Sequence, residues 1–228
     1  MISRWIAFIA LVLTALVLLP FVSMPVSDEL TDVAAYYLEN GPEELGAANI
    51  VTSIIVTYRG LDTLGEVAVL FFATTGVGIL LSKMGRREDE IRPASEILSS
   101  GASLLYPLLL LFGAYIFVHG HLTPGGGFQG GVVIATGFLL LLLSQRVKKV
   151  NHVVMNLLES LSGFAYVLIG SAGIFLAGGF LDNRILPLGE FRTLFSAGAI
   201  PLIYILVGLK VGTELSAILE NMKGRDPE

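Results

Sequence analysis

Apolar residues in this chain come in long runs separated by short polar or charged stretches, the pattern of helices that cross a membrane. The first run covers residues 5–22, directly after Arg4, and is long enough to span a bilayer. A cleaved signal peptide is the competing reading, but the run is long for that role and Ser23-Met24-Pro25 is a poor small-residue cleavage site. Residues 23–58 are polar and acidic, with Asp28, Glu29, Asp32, Glu39, Glu43 and Glu44 and no Lys or Arg. Within them Ile50, Ile54 and Tyr58 recur at i, i+4 and i+8, which predicts a short amphipathic helix lying at the interface. Further spans are predicted at about 62–82, 99–118, 128–143, 157–176 and 194–215. The spacing therefore predicts an all-α integral membrane protein of about six transmembrane helices.

Composition agrees. Of 228 residues, 54% are hydrophobic and 14% charged, against roughly a quarter charged in a soluble domain. The mean hydropathy is +0.78. That much apolar surface cannot hide in one small core, so lipid is the expected solvent. Cysteine is absent, which excludes a disulfide framework, a thiolate zinc site and an iron–sulfur cluster ligated by this chain.

Charge placement says more than the net charge of −5. Six spans put both termini on one side, and that side collects Arg4, the 83–92 loop, the 146–149 loop, Lys210, Lys223 and Arg225. The other side holds only Arg59, Arg184 and Arg192. The positive-inside bias predicts cytoplasmic termini in the cytoplasmic membrane, with the acidic 23–58 stretch facing outward. No internal repeat supports a self-contained transporter built from inverted halves. The charged 83–92 loop is the natural seam between a two-span segment, 1–90, and a four-span segment, 91–228.

Gly125, Gly127 and Gly130 spell G-x-G-x-x-G, but a transmembrane run precedes them and no acidic residue follows before Glu159. The dinucleotide fingerprint needs a strand before it and an acidic residue about 20 positions on, so that reading fails. A phosphate loop fails as well, for want of Lys-Ser/Thr. Pro124 and the glycines Gly125, Gly126, Gly127, Gly130 and Gly131, with Phe128 and Gln129 among them, prevent a simple helix across the segment. Irregular backbone near a membrane needs protein or water to satisfy it, so the segment either packs on partner proteins, lines a cavity, or is a plain tight loop.

Few ionisable residues fall near the spans. Asp62 and Glu66, four apart, share one helical face; they are a cation or proton station at a hydrated interface, or simply solvated at the membrane surface. Lys210 and Glu214 are also four apart, about 24 Å along a last span that starts near residue 194. Lys210 either snorkels to the headgroups or is an embedded ammonium engaged in proton transfer. His119 and His121 could relay protons or could satisfy loop backbone; their spacing and the want of a third ligand argue against a metal. Asn156 and Glu159 read as boundary residues. No Ser/His/Asp or Cys/His nucleophile arrangement is present.

The run His119-Gly-His-Leu-Thr-Pro-Gly-Gly-Gly-Phe-Gln-Gly-Gly131 resembles the signature of the MnhB-like component of Mrp-type multisubunit Na⁺/H⁺ antiporters, over roughly 95–220. Upstream, Tyr58-Arg-Gly-Leu-Asp-Thr-Leu-Gly-Glu66 resembles the C-terminal tail of the large MnhA-like component of the same antiporters. That tail also occurs as a separate small protein in membrane-bound hydrogenases and sulfur-reducing relatives. The resemblance implies a fusion of the tail with the MnhB-like component, working in Na⁺ and H⁺ translocation within an antiporter or respiratory complex. It implies other membrane subunits and the bilayer as partners, with Na⁺ and H⁺ as transported ions, and neither cofactor, metal nor nucleic acid. The matching residues are Asp62, Thr63, Gly65 and Glu66 in the tail, and His119, His121, Pro124, Gly125, Gly126, Gly127, Phe128 and Gln129 in the MnhB-like part. The large Lys- and Glu-rich pumping helices of the family are absent, so the chain is expected to be an accessory or path-lining component and no enzyme on its own. A purely structural scaffold is the rival expectation.

Overall fold

The computed structural model describes residues 2–23, 29–83, 93–144 and 151–223. Its regular elements are helices throughout: α1 (Ile2–Ser23), α2 (Asp32–Leu45), α3 (Ile50–Ser53), a π-helical turn (Ile54–Tyr58), α4 (Gly60–Lys83), α5 (Glu96–Val118), α6 (Gly127–Leu143), α7 (His152–Leu176), a 3₁₀ turn (Asn183–Ile185) and α8 (Ile200–Lys223). Among these, α4, α5, α7 and α8 are long and apolar enough to cross a membrane, and Trp5–Pro20 and Gly127–Leu143 are shorter apolar helices. This is a multi-pass membrane protein of about six helices.

The chain forms two compact units, Met1–Tyr36 and Tyr37–Glu228. The first is dominated by α1, whose residues from Trp5 to Pro20 are all exposed within it. In the second, α8 packs against α4, α5, α6 and α7, and α5 packs on α6. Half of the α8 span is buried, against 11% of α4 and 17% of α5 and of α7. Helix α8 is therefore the inner helix, and the other spans keep broad apolar faces outward, as lipid or partner chains require.

The last span starts six residues later than its apolar run suggests, and the reason is local. Residues 177–199 form an ordered cap. Ala197 N donates to Leu188 O at 2.8 Å and Ala199 N to Asn183 O at 2.9 Å. Asn183 Nδ2 donates to Leu45 O at 2.8 Å and to Ala197 O at 2.9 Å. Gly198 closes this loop with φ +58°, and a Cβ there would sit 2.2 Å from Asn183 O. Only after it does the backbone become helical, and Pro201 is tolerated because it lies in the first turn.

The stretch expected to hold an interfacial helix is divided. Asn49 caps α3 by accepting from Val51 N, and after four residues the chain widens into the π turn. Ile50, Ile54 and Tyr58 are half-buried, while Thr52, Ser53 and Val56 are fully buried. A further helix, α2, runs through the acidic stretch, and Tyr58 Oη donates to Glu44 Oε2 at 2.5 Å. The charged 83–92 loop lies outside the described residues apart from the backbone of Lys83. So do the 146–149 loop, the Arg4 and Lys223 side chains and Arg225, which carry most of the orientation argument.

Helices α6 and α8 meet at glycines. A Cβ on Gly127 would lie 2.7 Å from Val207 Cβ and 2.9 Å from Tyr204 O. One on Gly131 would lie 2.8 Å from both Gly208 O and Val211 Cβ, and one on Gly130 would lie 2.6 Å from Gly113 O in α5. The α6 backbone meets carbonyls and valine side chains of α8 directly, with no side chain of its own between them. Replacing Gly131 with Val is expected to destabilise the protein by about 1–3 kcal/mol through overpacking, read as a lower melting temperature in detergent.

Candidate functional site

The glycine-rich segment is held from within the chain. Asn49 Nδ2 donates to Gly120 O at 2.8 Å and Thr123 O at 3.0 Å, and Asn49 N donates to His121 O at 3.0 Å. Thr52 Oγ1 donates to Gly120 O at 2.7 Å and lies 3.0 Å from Tyr204 Oη. Gly125 takes φ +152° against the Ile116 carbonyl, a conformation open to glycine. Gly126, Gly127, Gly130 and Gly131 are buried, Phe128 is half-buried against the core, and Pro124 and Gln129 are exposed. The surface these glycines meet is the chain's own α8 and α5.

The two histidines separate. His119 stacks on Tyr115 with centroids 4.2 Å apart, and its Nδ1 lies 3.1 Å from Tyr115 O. His121 is fully buried, with Nε2 3.4 Å from Thr193 O and Nδ1 without a partner among the described residues. Among the described residues no group of three or more His, Asp or Glu is placed to hold a metal. In the same outer cap, Asp182 and Arg184 form a two-pronged ion pair that holds the Asp182 carboxyl below its ordinary range.

Asp62 and Glu66 do share a face of α4, but their surroundings differ. Asp62 pairs with Arg59 at 2.6 Å, both side chains being exposed, so its charge is already answered at the outer end of the helix. Glu66 is exposed, and among the described residues no cation lies within ion-pair distance of it. It stands about 9 Å along α4 from Gly60. Its neighbours Leu64, Val67 and Leu70 pack into the cluster that holds Tyr166 and Tyr204.

Because α8 starts at Ile200, Lys210 falls about 15 Å along it, in mid-helix and not toward the end. It does not snorkel. Its side chain is 11% exposed, with Nζ 2.7 Å from Glu214 Oε1 and 3.9 Å from Glu159 Oε1 of α7. Nζ also sits 5.1 Å from the centroid of Phe71 in α4. The stem lies against Gly163 of α7. Glu214 is fully buried, with Lys210 Nζ at ion-pair distance from its Oε1. Among the described residues the cluster holds two carboxylates to one ammonium, an excess of one negative charge. Glu159, which the sequence places at a boundary, is thus part of the cluster, as are Phe71 and Gly163. Pairings across three helices carry no local spacing by which to find them.

Removing the Lys210 charge alone strands a buried carboxylate. Lys210→Met is expected to cost about 3–5 kcal/mol, with most of it recovered in Lys210→Met/Glu214→Leu; thermal melts of the three proteins in detergent check this. His121 gives a second expectation. Burial, the largest influence, holds its imidazole below the ordinary value, so the unfolded chain takes up a proton that the folded chain refuses. Its contribution to stability is complete above about pH 6.5 and is lost as the pH falls below that. His121→Gln should flatten this part of the acid sensitivity in melts between pH 7.5 and 5.

Two family models match this chain. Residues 97–217 match the family model described as a domain related to the MnhB subunit of Na⁺/H⁺ antiporter. Residues 4–100 match the family model MbhE, a component of the complex abbreviated MBH. An uncharacterised protein of Methanocaldococcus jannaschii is 32% identical over 196 residues, covering 74% of this chain and 74% of its own. A chain in the structure of the membrane-bound sulfane sulfur reductase, an archaeal respiratory membrane complex, is 44% identical with a TM-score of 0.83, covering 99% of this chain and 100% of that one. A chain of the Mrp complex from a Dietzia species is 26% identical with a TM-score of 0.79, covering 99% of this chain but 26% of that one.

Proposed function

The chain belongs to the family of domains related to the MnhB subunit of Na⁺/H⁺ antiporters, and on that premise we propose that it is a transport subunit contributing to Na⁺ and H⁺ translocation within a larger membrane complex. The two structural neighbours are chains of membrane complexes, one respiratory and one of the Mrp type, which supports other membrane subunits as partners. The chain works as part of a transport path and not as an enzyme. Residues 1–90 serve as the tail-like module and 91–228 as the four-span MnhB-like module, a division favoured by the two family matches meeting at 97–100. With Lys210 in mid-helix, ten of the 14 Lys and Arg fall on the side of the termini, which supports cytoplasmic termini in the cytoplasmic membrane.

The observation that carries the proposal is the exposed Glu66 carboxylate on the 22-residue span Gly60–Leu81. An ionised side chain facing lipid costs about 2.5–3.5 kcal/mol at a helix centre, and less nearer an end. A partner protein or a hydrated path that covers this face removes the cost. In that setting Glu66 attracts or passes Na⁺ or H⁺, with Asp62 and its Arg59 partner at the mouth. The Lys210–Glu214 pair, with Glu159, is the inner protonation site. His119 and His121 lie at the outer cap, His119 partly accessible and His121 sealed.

The scaffold reading has its own support in the glycine contacts, where a Cβ on Gly126 would meet Gln129 Oε1 at 2.8 Å and the Tyr204 ring at 3.2 Å. The two readings part on one experiment in the assembled complex. Glu66→Ala is expected to abolish Na⁺-dependent activity while the complex still assembles. Wild-type activity in Glu66→Ala, with assembly lost only in Gly126→Leu, would leave the scaffold role alone standing.

A further inference from the structure

Lys210 has two carboxylates within ion-pair distance and holds them unequally. Its Nζ is 2.7 Å from Glu214 Oε1 on its own helix and 3.9 Å from Glu159 Oε1 on α7. The two carboxylates also differ in access, the Glu159 side chain being 22% exposed and that of Glu214 0%. On the α4 side of the ammonium lies the Phe71 ring, its centroid 5.1 Å from Nζ. An aromatic face attracts a cation without fixing it to one atom, so an ammonium can shift across it and break no hydrogen bond. On the α7 side lies Gly163, one turn past Glu159. A Cβ there would stand 3.4 Å from Lys210 Cδ and Cε and 3.5 Å from Nζ, which is ordinary van der Waals contact. The resting lysine therefore leaves room for an alanine, and alanine suits a helix interior better than glycine. Only a lysine stem that comes closer to α7 needs that methyl group to be missing.

We infer that Lys210 is a two-position proton carrier whose side chain passes between Glu214 and Glu159, with Gly163 as the clearance for its stem and Phe71 as the face it crosses. This deepens the proposed inner protonation site and rests on it. The step balances with the transported proton alone. While the ammonium is on Glu214, the Glu159 carboxylate takes up H⁺ and becomes a carboxyl group. Lys210 then gives a proton to Glu214, breaking an N–H bond and forming an O–H bond. The neutral amine moves to Glu159 and takes the carboxyl proton, which restores the ammonium and leaves Glu159 a carboxylate. One proton has passed from the part-exposed Glu159 to the enclosed Glu214, and the charge of the cluster is the same before and after the transfer. The reverse sequence returns it.

The test uses the assembled complex in inverted membrane vesicles, reading ion-dependent proton movement by quenching of a pH-sensitive dye, with native gels for assembly and melts in detergent for stability. Gly163→Ala is expected to assemble, to melt no lower than wild type and to lower the rate by about ten-fold or more, a combination that a packing role does not produce. Glu159→Gln keeps the shape, removes the second charge and is expected to lose as much. Phe71→Leu should slow transport, and Phe71→Tyr, which keeps the ring face, should restore it. Wild-type rate in Gly163→Ala or in Glu159→Gln, with Lys210→Met/Glu214→Leu inactive, would overturn the exchange and leave the inner protonation site standing. Wild-type rate in Lys210→Met/Glu214→Leu would overturn both. Lost assembly or a lower melting temperature in Gly163→Ala would show the glycine to be a packing contact and overturn its role as clearance. Equal losses in Phe71→Leu and Phe71→Tyr would overturn the role of the ring.

Discussion

Direct contact between the backbones of α6 and α8 is the constraint on which the rest depends. In a membrane the lipid is as apolar as a leucine side chain, so burying leucine between helices gains little, and close van der Waals contact has to supply the association. Gly127 and Gly131 supply it against Val207, Gly208 and Val211, and Gly130 repeats it toward α5. This contact sets α8 inside the other spans. Once α8 is enclosed, everything on its inner faces is removed from both lipid and water, including Lys210 and Glu214.

An enclosed ion pair is a poor device for stability, since the attraction barely offsets desolvation. Its presence on the most buried helix therefore calls for another role. On the proposed transport function its surroundings suit charge movement: two carboxylates for one ammonium, an aromatic face above it, and a glycine on α7 that leaves the stem room. The outer end is built by opposite means. There Asn49, Thr52 and Asn183 tie loop carbonyls together with neutral hydrogen bonds. Neutral hydrogen bonds thus tie the cap together, beside the Asp182–Arg184 pair, while the interior of the bundle holds the Lys210 cluster.

The number of spans, their order and the need for irregular backbone at the glycine-rich segment were legible in the sequence, because hydropathy and glycine act locally. The start of α8 was not. Residues 194–199 are apolar enough to extend the helix, yet bonds to Asn183 and Leu188 and the left-handed Gly198 hold them in the cap. That shift of six residues moved Lys210 from a place where it could snorkel to one where it cannot. Glu159 was misjudged for a related reason: α7 begins at His152, so a residue taken for a boundary lies two turns inside. Tyr166 drew no notice, since an aromatic on an apolar helix is ordinary until its hydroxyl is found without a partner among the described residues. The glycine segment was expected to pack on partner proteins, line a cavity or form a plain tight loop, and the first differs from the structure, where its glycines meet the chain's own α8 and α5.

That last difference redirects the question of where partners bind. With the glycines occupied by α8 and α5, they are not free to receive another helix. The faces left open are the apolar sides of α4, α5 and α7, and of these α4 differs in kind. It carries an exposed carboxylate on an otherwise lipid-compatible surface, beside Gly65, where a Cβ would meet nothing within 4 Å. A helix that only faced lipid would gain by losing Glu66, whereas one that faced a polar groove on another protein would need it. The small residue next to it lets such a neighbour come close. The same helix reaches inward through Val67 and Phe71 to the tyrosine and lysine of the core, so α4 meets both the open surface and the buried charge.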